Sequence, residues 1–165
     1  MAVLALIVAA GRGSRAGEGI PKQYRALGDT TVLAKTLEAF CGHPAIDRIL
    51  VVIHPDDRQL YEASIAALGP RHEKKLLPSV AGGATRQASV RAGLEAFAES
   101  DDAAIVLVHD AARPVVTPAL LDRAITGAQK WGAAIPGIPV TDTIKRIDTS
   151  GIVVETPPRP QLRAV

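Results

Sequence analysis

Apolar runs of strand length alternate along the chain with stretches of helical periodicity. Three of the runs are almost continuously apolar: Val3–Ala9, Arg48–Ile53 and Ala103–Val108. Such strands are typical of a parallel sheet that helices cover on both faces. Helices are predicted between and after them, at Thr31–Phe40, from Asp56 to about Leu68, at Ala84–Ala98 and at Pro118–Trp131.

The remaining extended segments are shorter or interrupted. Lys75–Leu77 predicts a weak short strand, and the prolines in Ala133–Val140 predict an edge or irregular strand. Thr143–Ile147 and Ile152–Val154 flank Asp148–Gly151, which is a typical hairpin turn. Strands alternating with helices, followed by a hairpin, predict an α/β fold with a doubly wound, mostly parallel sheet.

The residues with the most distinctive chemistry follow the predicted strands. Ligands of open parallel sheets bind outside the carboxyl ends of the strands. The first strand is followed by glycines and arginines from Gly11 onwards, and the third by Gly82-Gly83. The fourth is followed by His109–Pro114 and the fifth by Thr141–Thr143. We therefore expect one ligand site at this edge of the sheet.

The composition is that of one globular domain. The 165 residues are 47% hydrophobic and 22% charged, with 19 basic against 17 acidic residues. This balance and the scarcity of aromatic residues argue against a nucleic-acid partner. The single cysteine, Cys41, excludes an internal disulfide, and no apolar run is long enough for a membrane span. We expect a reduced, cytoplasmic, enzyme-like domain.

The segment after the first strand predicts a phosphate site. Gly11 and Gly13 let backbone amides approach an anionic oxygen, and Arg12, Arg15 and Lys22 add positive charge.

Two more specific phosphate motifs do not fit this segment. A dinucleotide fingerprint requires a helix directly after the glycines and an acidic residue about 20 positions further on. Here Gly17, Gly19 and Pro21 prevent the helix, and the acidic residue after the second strand, Asp56, lies too far along the chain. A Walker loop is excluded because no Gly-Lys-Ser/Thr sequence follows.

The segment after the fourth strand combines a histidine, an aspartate and an arginine. Asp110 suits a metal–triphosphate or a hydroxyl-bearing ligand, and the alternative is that it pairs with Arg113 or caps the turn. We favour the first interpretation because of its place at a strand end. His109 is expected only to hydrogen-bond to backbone.

The segment Gly82–Ser89 places two glycines before a predicted helix. Arg86 and Ser89 are three residues apart and share a helix face, and Thr85 is a possible cap. These groups could bind the polar edge of a base or sugar, or they could serve ordinary capping.

Five motifs occur in one order over nearly the whole chain, and together they resemble the 2-C-methyl-D-erythritol 4-phosphate cytidylyltransferase family of isoprenoid synthesis. They are A-A-G-x-G-x-R at Ala9–Arg15, P-K-Q-Y at Pro21–Tyr24, G-G-x-x-R-x-x-S at Gly82–Ser89, H-D-A-A-R-P at His109–Pro114 and D-T-x-K at Asp142–Lys145. The resemblance implies a Rossmann-like nucleotidyltransferase that uses Mg²⁺ or another divalent cation. Its reaction would join CTP and methylerythritol phosphate to give the CDP-alcohol and pyrophosphate, by in-line attack without a protein nucleophile.

The resemblance also implies roles for individual residues. The catalytic residues would be Arg15, Lys22 and Arg159. The nucleotide-binding residues would be Ala9, Ala10, Gly11, Gly13, Ser14, Gly83, Arg86, Ser89 and Ala111. The substrate would be bound by Asp110, Arg113, Thr143 and Arg159, and Asp110 would also bind the metal.

The resemblance further implies an arm and a dimer. Residues 1–146 would form a cytidylyltransferase core that is incomplete at its carboxyl end, and residues 147–165 an extended β-arm and chain end. In the family, the arginine corresponding to Arg159 reaches the partner subunit's site, so a homodimer through residues 147–159 is expected.

Two departures from the family pattern affect these expectations. Ala84 stands where the family usually has an acidic residue, and the family continues past the position of Val165 with further substrate-binding residues. The 165-residue form is therefore expected to be weakly active or inactive, or part of a longer, bifunctional protein. Two alternatives stay open: a cytidylyltransferase for another polyol phosphate, such as ribitol 5-phosphate, and a non-catalytic nucleotide-binding domain.

Overall fold

The computed structural model describes residues 2–12, 19–69, 74–98 and 103–165. Its strands are β1 (Ala2–Ala9), β2 (Ala26–Leu27), β3 (Thr30–Thr31), β4 (Arg48–Ile53), β5 (Val80–Ala81), β6 (Ala103–Asp110), β7 (Ile138–Pro139), β8 (Arg146–Ile147), β9 (Val153–Glu155) and β10 (Arg163–Ala164). Its α-helices are α1 (Val32–Cys41), α2 (Arg58–Ala66), α3 (Arg86–Ala98) and α4 (Pro118–Trp131). Short 3₁₀ turns occupy Lys22–Tyr24, Pro55–Asp57 and Arg159–Gln161. Among these described helices, none combines the length and the apolar character that crossing a membrane requires.

The central sheet is parallel, with the strand order β5-β4-β1-β6. The chain moves outward from β1 to β4 and β5, and then returns across the sheet to place β6 on the other side of β1. The register pairs Ala9 with Ile53 on one side of β1 and Val8 with Asp110 on the other. The order therefore reverses between β1 and β6, and such a point is where open α/β sheets bind ligands.

Both faces of the sheet are covered, which explains the continuous apolar runs. One set of alternating β1 side chains packs with α1, α2 and α4, and it comprises Val3, Ala5, Ile7 and Ala9. The other set, which includes Leu4 and Leu6, packs with β4 residues and Phe97 of α3. Gly93 lets α3 lie close to the sheet, because a Cβ there would overlap Leu6.

Helix ends follow the capping chemistry of the sequence. Thr31 caps α1 by accepting a hydrogen bond on Oγ1 from the N–H of Ala34 (3.1 Å). At α4, Pro118 occupies the first turn and Gly132 ends the helix in the left-handed conformation, with φ of 81°.

Two predicted strands differ from those observed. Lys75–Leu77 contributes only one parallel bridge, between Ile49 and Leu76, and the third strand of the sheet is β5 beyond Pro78. Ala133–Val140 does not join the central sheet: only β7 forms there, and it pairs antiparallel with β10. Its prolines lack the N–H groups that a central strand must donate.

The predicted hairpin is confirmed. Strands β8 and β9 pair antiparallel, with Arg146 opposite Glu155. In the turn, Asp148 Oδ1 accepts hydrogen bonds from the N–H groups of Ser150 (2.9 Å) and Ile152 (3.0 Å), and Gly151 has φ of 81°.

Candidate active site

The carboxyl ends of β1 and β6 are bonded directly to each other. The N–H of Ala111 donates to the carbonyl oxygen of Val8 (3.0 Å), and Thr36 Oγ1 of α1 donates to the carbonyl oxygen of Ala111 (2.9 Å). Both Ala111 and Thr36 are buried. The predicted nucleotide residue Ala111 is therefore fixed beside the start of the first glycine loop.

A buried glutamine fastens that loop from the side of the P-K-Q-Y motif. Gln23 Nε2 donates to the carbonyl oxygens of Ala9 (2.6 Å) and Gly11 (3.0 Å), and the side chain is buried. The neighbouring Lys22 is exposed in the same 3₁₀ turn. Gln23 is not among the predicted site residues, although its side-chain amide is the group of the P-K-Q-Y motif best suited to binding backbone carbonyls.

Arg12 makes contacts that its interpretation as a phosphate-binding cation did not anticipate. Its Nη1 donates to Asp57 Oδ1 (2.9 Å), and its Nη2 contacts Asp56 Oδ2 (2.8 Å) and His54 Nδ1 (2.7 Å). The partners lie more than 40 residues away, at the end of β4 and the start of α2. The positive charge of Arg12 is thus already paired within the protein.

The second glycine pair lies against the first loop. A Cβ on Gly82 would overlap the Cβ of Ala10 and would lie 2.8 Å from Ser89 Oγ. The N–H of Gly82 donates to the carbonyl oxygen of Ile53 (2.8 Å) at the end of β4. The absence of a side chain at Gly82 is what allows the two predicted nucleotide segments to touch.

Ser89 organises the second loop rather than projecting into solvent. Its buried Oγ accepts from the N–H of Gly83 (3.1 Å) and donates to the carbonyl oxygen of Thr85 (3.0 Å). Thr85 Oγ1 accepts from the N–H of Ala88 (3.0 Å), so the predicted cap is confirmed. Ser89 is therefore expected to affect a ligand indirectly, by positioning the backbone of Gly83.

Asp110 joins α3 to the turn after β6. Arg86 Nε donates to Asp110 Oδ1 (2.9 Å), and Arg113 Nε lies 3.3 Å from Asp110 Oδ2. The pairing of Asp110 with Arg113, given above as an alternative, is therefore present. All three side chains keep substantial exposure, at 33% for Asp110, 61% for Arg86 and 66% for Arg113. The cluster combines one carboxylate with two cations and remains open to solvent.

His109 plays the backbone-bonding role expected from the sequence. Its Nε2 lies 2.9 Å from the carbonyl oxygen of Arg113, and its ring centroid lies 4.9 Å from that of Phe40. Burial lowers the pKa of His109 below its ordinary value, and the backbone hydrogen bond only partly opposes this effect. A neutral His109 that donates from Nε2 shapes the turn that presents Asp110 and Arg113.

Two predicted substrate-binding residues, Arg159 and Thr143, have other surroundings. Arg159 Nη1 donates to the carbonyl oxygen of Thr141 (2.9 Å), and Thr143 is exposed. Within the described residues, neither Arg159 nor Thr143 forms a hydrogen bond or ion pair with Asp110 or Arg113. The predicted residues Gly13, Ser14 and Arg15 lie outside the described residues.

The side chains of the described residues give no ready-made metal centre. Across the four described ranges, no group of three or more histidine, cysteine, aspartate or glutamate side chains is arranged to bind a metal ion. A metal at Asp110 would need most of its ligands from a bound molecule, as Mg²⁺ commonly obtains them from substrate phosphates.

The chain matches one protein-family model over almost its full length. The model for "IspD: 2-C-methyl-D-erythritol 4-phosphate cytidylyltransferase" matches residues 3–165. The bifunctional enzyme IspD/IspF of Rhodopseudomonas palustris (strain ATCC BAA-98 / CGA009) is 56% identical over 159 residues, 96% of this chain. That of Nitrobacter winogradskyi is also 56% identical over 159 residues. The chain spans 38% of the length of each of these relatives.

Solved structures of similarly named proteins share the fold. The 4-diphosphocytidyl-2C-methyl-D-erythritol synthase from Anaerococcus prevotii DSM 20548 superposes with a TM-score of 0.81 at 28% identity. The 2-C-methyl-D-erythritol 4-phosphate cytidylyltransferase from Thermus thermophilus gives a TM-score of 0.64 at 36% identity. Each match covers 99% of this chain and 67% of the solved chain.

Proposed function

This chain belongs to the 2-C-methyl-D-erythritol 4-phosphate cytidylyltransferase family, and on that premise we propose that it transfers a cytidylyl group from CTP to 2-C-methyl-D-erythritol 4-phosphate. The products are the CDP-alcohol and pyrophosphate. The supporting observation is the meeting of four separate motifs at the carboxyl edge of the sheet. Gly82 touches Ala10, Gln23 binds Ala9, and Arg86 pairs with Asp110.

The proposed chemistry is an in-line displacement at the α-phosphorus of CTP. A phosphate oxygen of the alcohol substrate forms the new P–O bond, and the bond to the pyrophosphate oxygen breaks. Negative charge spreads over the phosphoryl oxygens in the transition state, so catalysis depends on positioning and on fixed cations. Lys22 and Arg15 are the proposed cations.

A protein nucleophile is not needed, and the described side chains suit that proposal. Cys41 is buried, and burial raises the pKa of its thiol to about 11, so it carries little thiolate at neutral pH. His109 donates from Nε2 to the backbone carbonyl of Arg113, so this nitrogen is not available to activate a nucleophile.

The cytosine end of CTP is assigned to the Gly82–Ser89 segment. Ser89 fixes the Gly83 peptide, and Gly82 brings it against Ala10. We propose that the Gly83 carbonyl oxygen binds the base and that Ala10 and Ala111 line its approach. Arg86 then acts by tying this segment to Asp110.

Mg²⁺ fits the site as a partner of the triphosphate. Asp110 is the carboxylate at the sheet edge, and its partial exposure leaves oxygen lone pairs available beside the two arginines. When bound, the ion would neutralise the phosphate charge and help to orient the α-phosphorus.

The alcohol phosphate is assigned to Arg113, Thr143 and Arg159. Because Arg159 lies in the carboxyl-terminal segment and bonds to Thr141 rather than to the cluster, we propose that it serves the site of a second copy. The hairpin exposes Ile147, Ile152, Val153 and Val154, which supply apolar surface for such a homodimer. The cytoplasmic location expected from the sequence stays a prediction.

The test is pyrophosphate release from CTP and methylerythritol phosphate with Mg²⁺, using residues 1–165 and the complete encoded protein. Arg15→Ala should lower the rate by about 100-fold or more while leaving the fold intact. Faster turnover of ribitol 5-phosphate would favour the other polyol substrate. Tight CTP binding by the complete protein without pyrophosphate release would favour a non-catalytic domain.

A further inference from the structure

The proposed function leaves one cation of the first loop, Arg12, without a role. Its side chain turns to the end of β4 and the start of α2, where it contacts His54, Asp56 and Asp57. A guanidinium is always protonated and only donates, so His54 Nδ1 must accept this hydrogen bond. Two carboxylates and an imidazole nitrogen therefore bind the same side chain.

Asp57 is the partner that most strongly holds the Arg12 side chain in this arrangement. Its side chain is 3% exposed, whereas that of Arg12 is 46% exposed. Its other oxygen, Oδ2, is buried without a hydrogen-bond partner in the described structure. A buried carboxylate that loses its counter-charge is strongly destabilised, so a swing of Arg12 towards a ligand would leave Asp57 charged and unpaired.

The peptide between Gly11 and Arg12 is consequently fixed from two sides. Gln23 Nε2 binds the carbonyl oxygen of Gly11, and Asp57 binds the side chain of Arg12. In a trans peptide, the N–H of Arg12 points opposite to the carbonyl of Gly11 and hence away from Gln23. The two anchors therefore set the direction of a backbone donor at the start of the phosphate loop.

We propose that Arg12 is a positioning residue that acts through Asp57: it holds the Gly11–Arg12 peptide in place for the phosphates of a nucleoside triphosphate and does not bind them itself. This inference rests on the proposed function, since it takes CTP as the ligand. It gives Asp57, which belongs to none of the five sequence motifs, the role of supporting the phosphate loop.

The test is a double-mutant cycle on CTP affinity, measured by calorimetry below the unfolding temperature of each variant. Arg12→Met retains the aliphatic stem, and Asp57→Asn is isosteric. Each single variant should weaken CTP binding about tenfold, as loss of a supporting contact typically does. The double variant should bind CTP no more weakly than Arg12→Met alone, because all three variants remove the same Arg12–Asp57 ion pair.

Three results would overturn the proposal. If Arg12→Met weakens binding while Asp57→Asn leaves it unchanged or tightens it, Arg12 binds phosphate directly. If the two losses simply add, the residues act independently. If the variants unfold at lower temperature but bind CTP normally, the pair is only structural.

Arg48→Met is the matched control. Arg48 is an exposed arginine and the first residue of β4, so it lies at the amino ends of the strands, opposite the proposed site. It should leave CTP affinity unchanged, which excludes a general effect of net charge. If the unaltered protein bound no CTP, the proposed function would fail on its own. Amide hydrogen exchange at Gly11 and Arg12 would then decide the positioning role: Asp57→Asn should accelerate it, and unchanged exchange would contradict the inference.

Discussion

The side-chain amide of Gln23 donates to the backbone carbonyl of Ala9 at 2.6 Å and so joins the P-K-Q-Y turn to the end of β1. The same nitrogen donates to Gly11, which means that one buried group satisfies two carbonyl oxygens of the glycine loop. Lys22 precedes this anchor directly, so its backbone position depends on Gln23.

Replacing Gln23 by Leu should weaken both the fold and nucleotide binding. The change removes the donor, so the carbonyl oxygens of Ala9 and Gly11 lose a hydrogen bond. This loss should lower the free energy of unfolding by about 2 kcal/mol. CTP affinity of the folded protein should fall as well, because the loop loses its fixed direction. Chemical denaturation and calorimetry measure the two effects. Gln129→Leu, at an exposed position on α4, is the control. Normal CTP affinity in Gln23→Leu would show that the anchor supports only the fold.

Gly82→Ala should abolish CTP binding at a modest cost in stability. The added methyl group would overlap Ala10 Cβ and crowd Ser89 Oγ, so the two loops must separate. Gly93→Ala is a matched comparison, because its methyl group would overlap Leu6 within the core, away from the loops. We expect Gly93→Ala to destabilise the protein while its folded fraction binds CTP normally. Equal CTP affinities in the two variants would contradict this use of Gly82.

The sequence predicted the central layers well because their signals are local. Continuous apolar runs identified β1, β4 and β6, and the helix predicted at Pro118–Trp131 has the same bounds as α4. The clustering of polar residues at one edge followed from the parallel order of the strands, and the contacts of Ala10 with Gly82 and of Arg86 with Asp110 confirm it.

What the sequence could not provide were the long-range partners of individual side chains. Arg12 resembles a phosphate cation because glycines surround it, but its partner Asp57 lies 45 residues away. Local pattern likewise predicted an edge or irregular strand over Ala133–Val140, whereas only Ile138–Pro139 forms a strand, and its pairing depends on distant Arg163 and Ala164.

Asp110→Asn should raise the Mg²⁺ concentration needed for half-maximal pyrophosphate release by the complete encoded protein. An amide keeps the shape and one oxygen acceptor but loses the charge that favours a divalent cation. Arg86 and Arg113 would remain beside it without their counter-charge, so the maximal rate should fall too. A titration of rate against Mg²⁺ separates these effects, and Asp29→Asn in an exposed turn is the control. An unchanged Mg²⁺ requirement would remove Asp110 from the metal site.

His109 should make the protein less stable as the pH falls below neutrality. Burial lowers its pKa in the folded protein, while the unfolded chain keeps the ordinary value of about 6.5. Between these two pKa values the unfolded state binds more protons, so the free energy of unfolding decreases as the pH falls through that window. At pH values below the pKa of His109 in the folded protein, the histidine is protonated in both the folded and the unfolded state. The free energy of unfolding then no longer decreases because of His109.

His109→Gln isolates this contribution, because glutamine can still donate to the carbonyl of Arg113 but does not titrate. The unfolding free energies of the two proteins should be compared by denaturation at pH values from about 8 to about 5. As the pH decreases, the unaltered protein should lose unfolding free energy relative to the glutamine variant. The contributions of the other histidines cancel in this comparison because both proteins contain them. A difference that stays constant over this range would mean that folding does not alter the titration of His109.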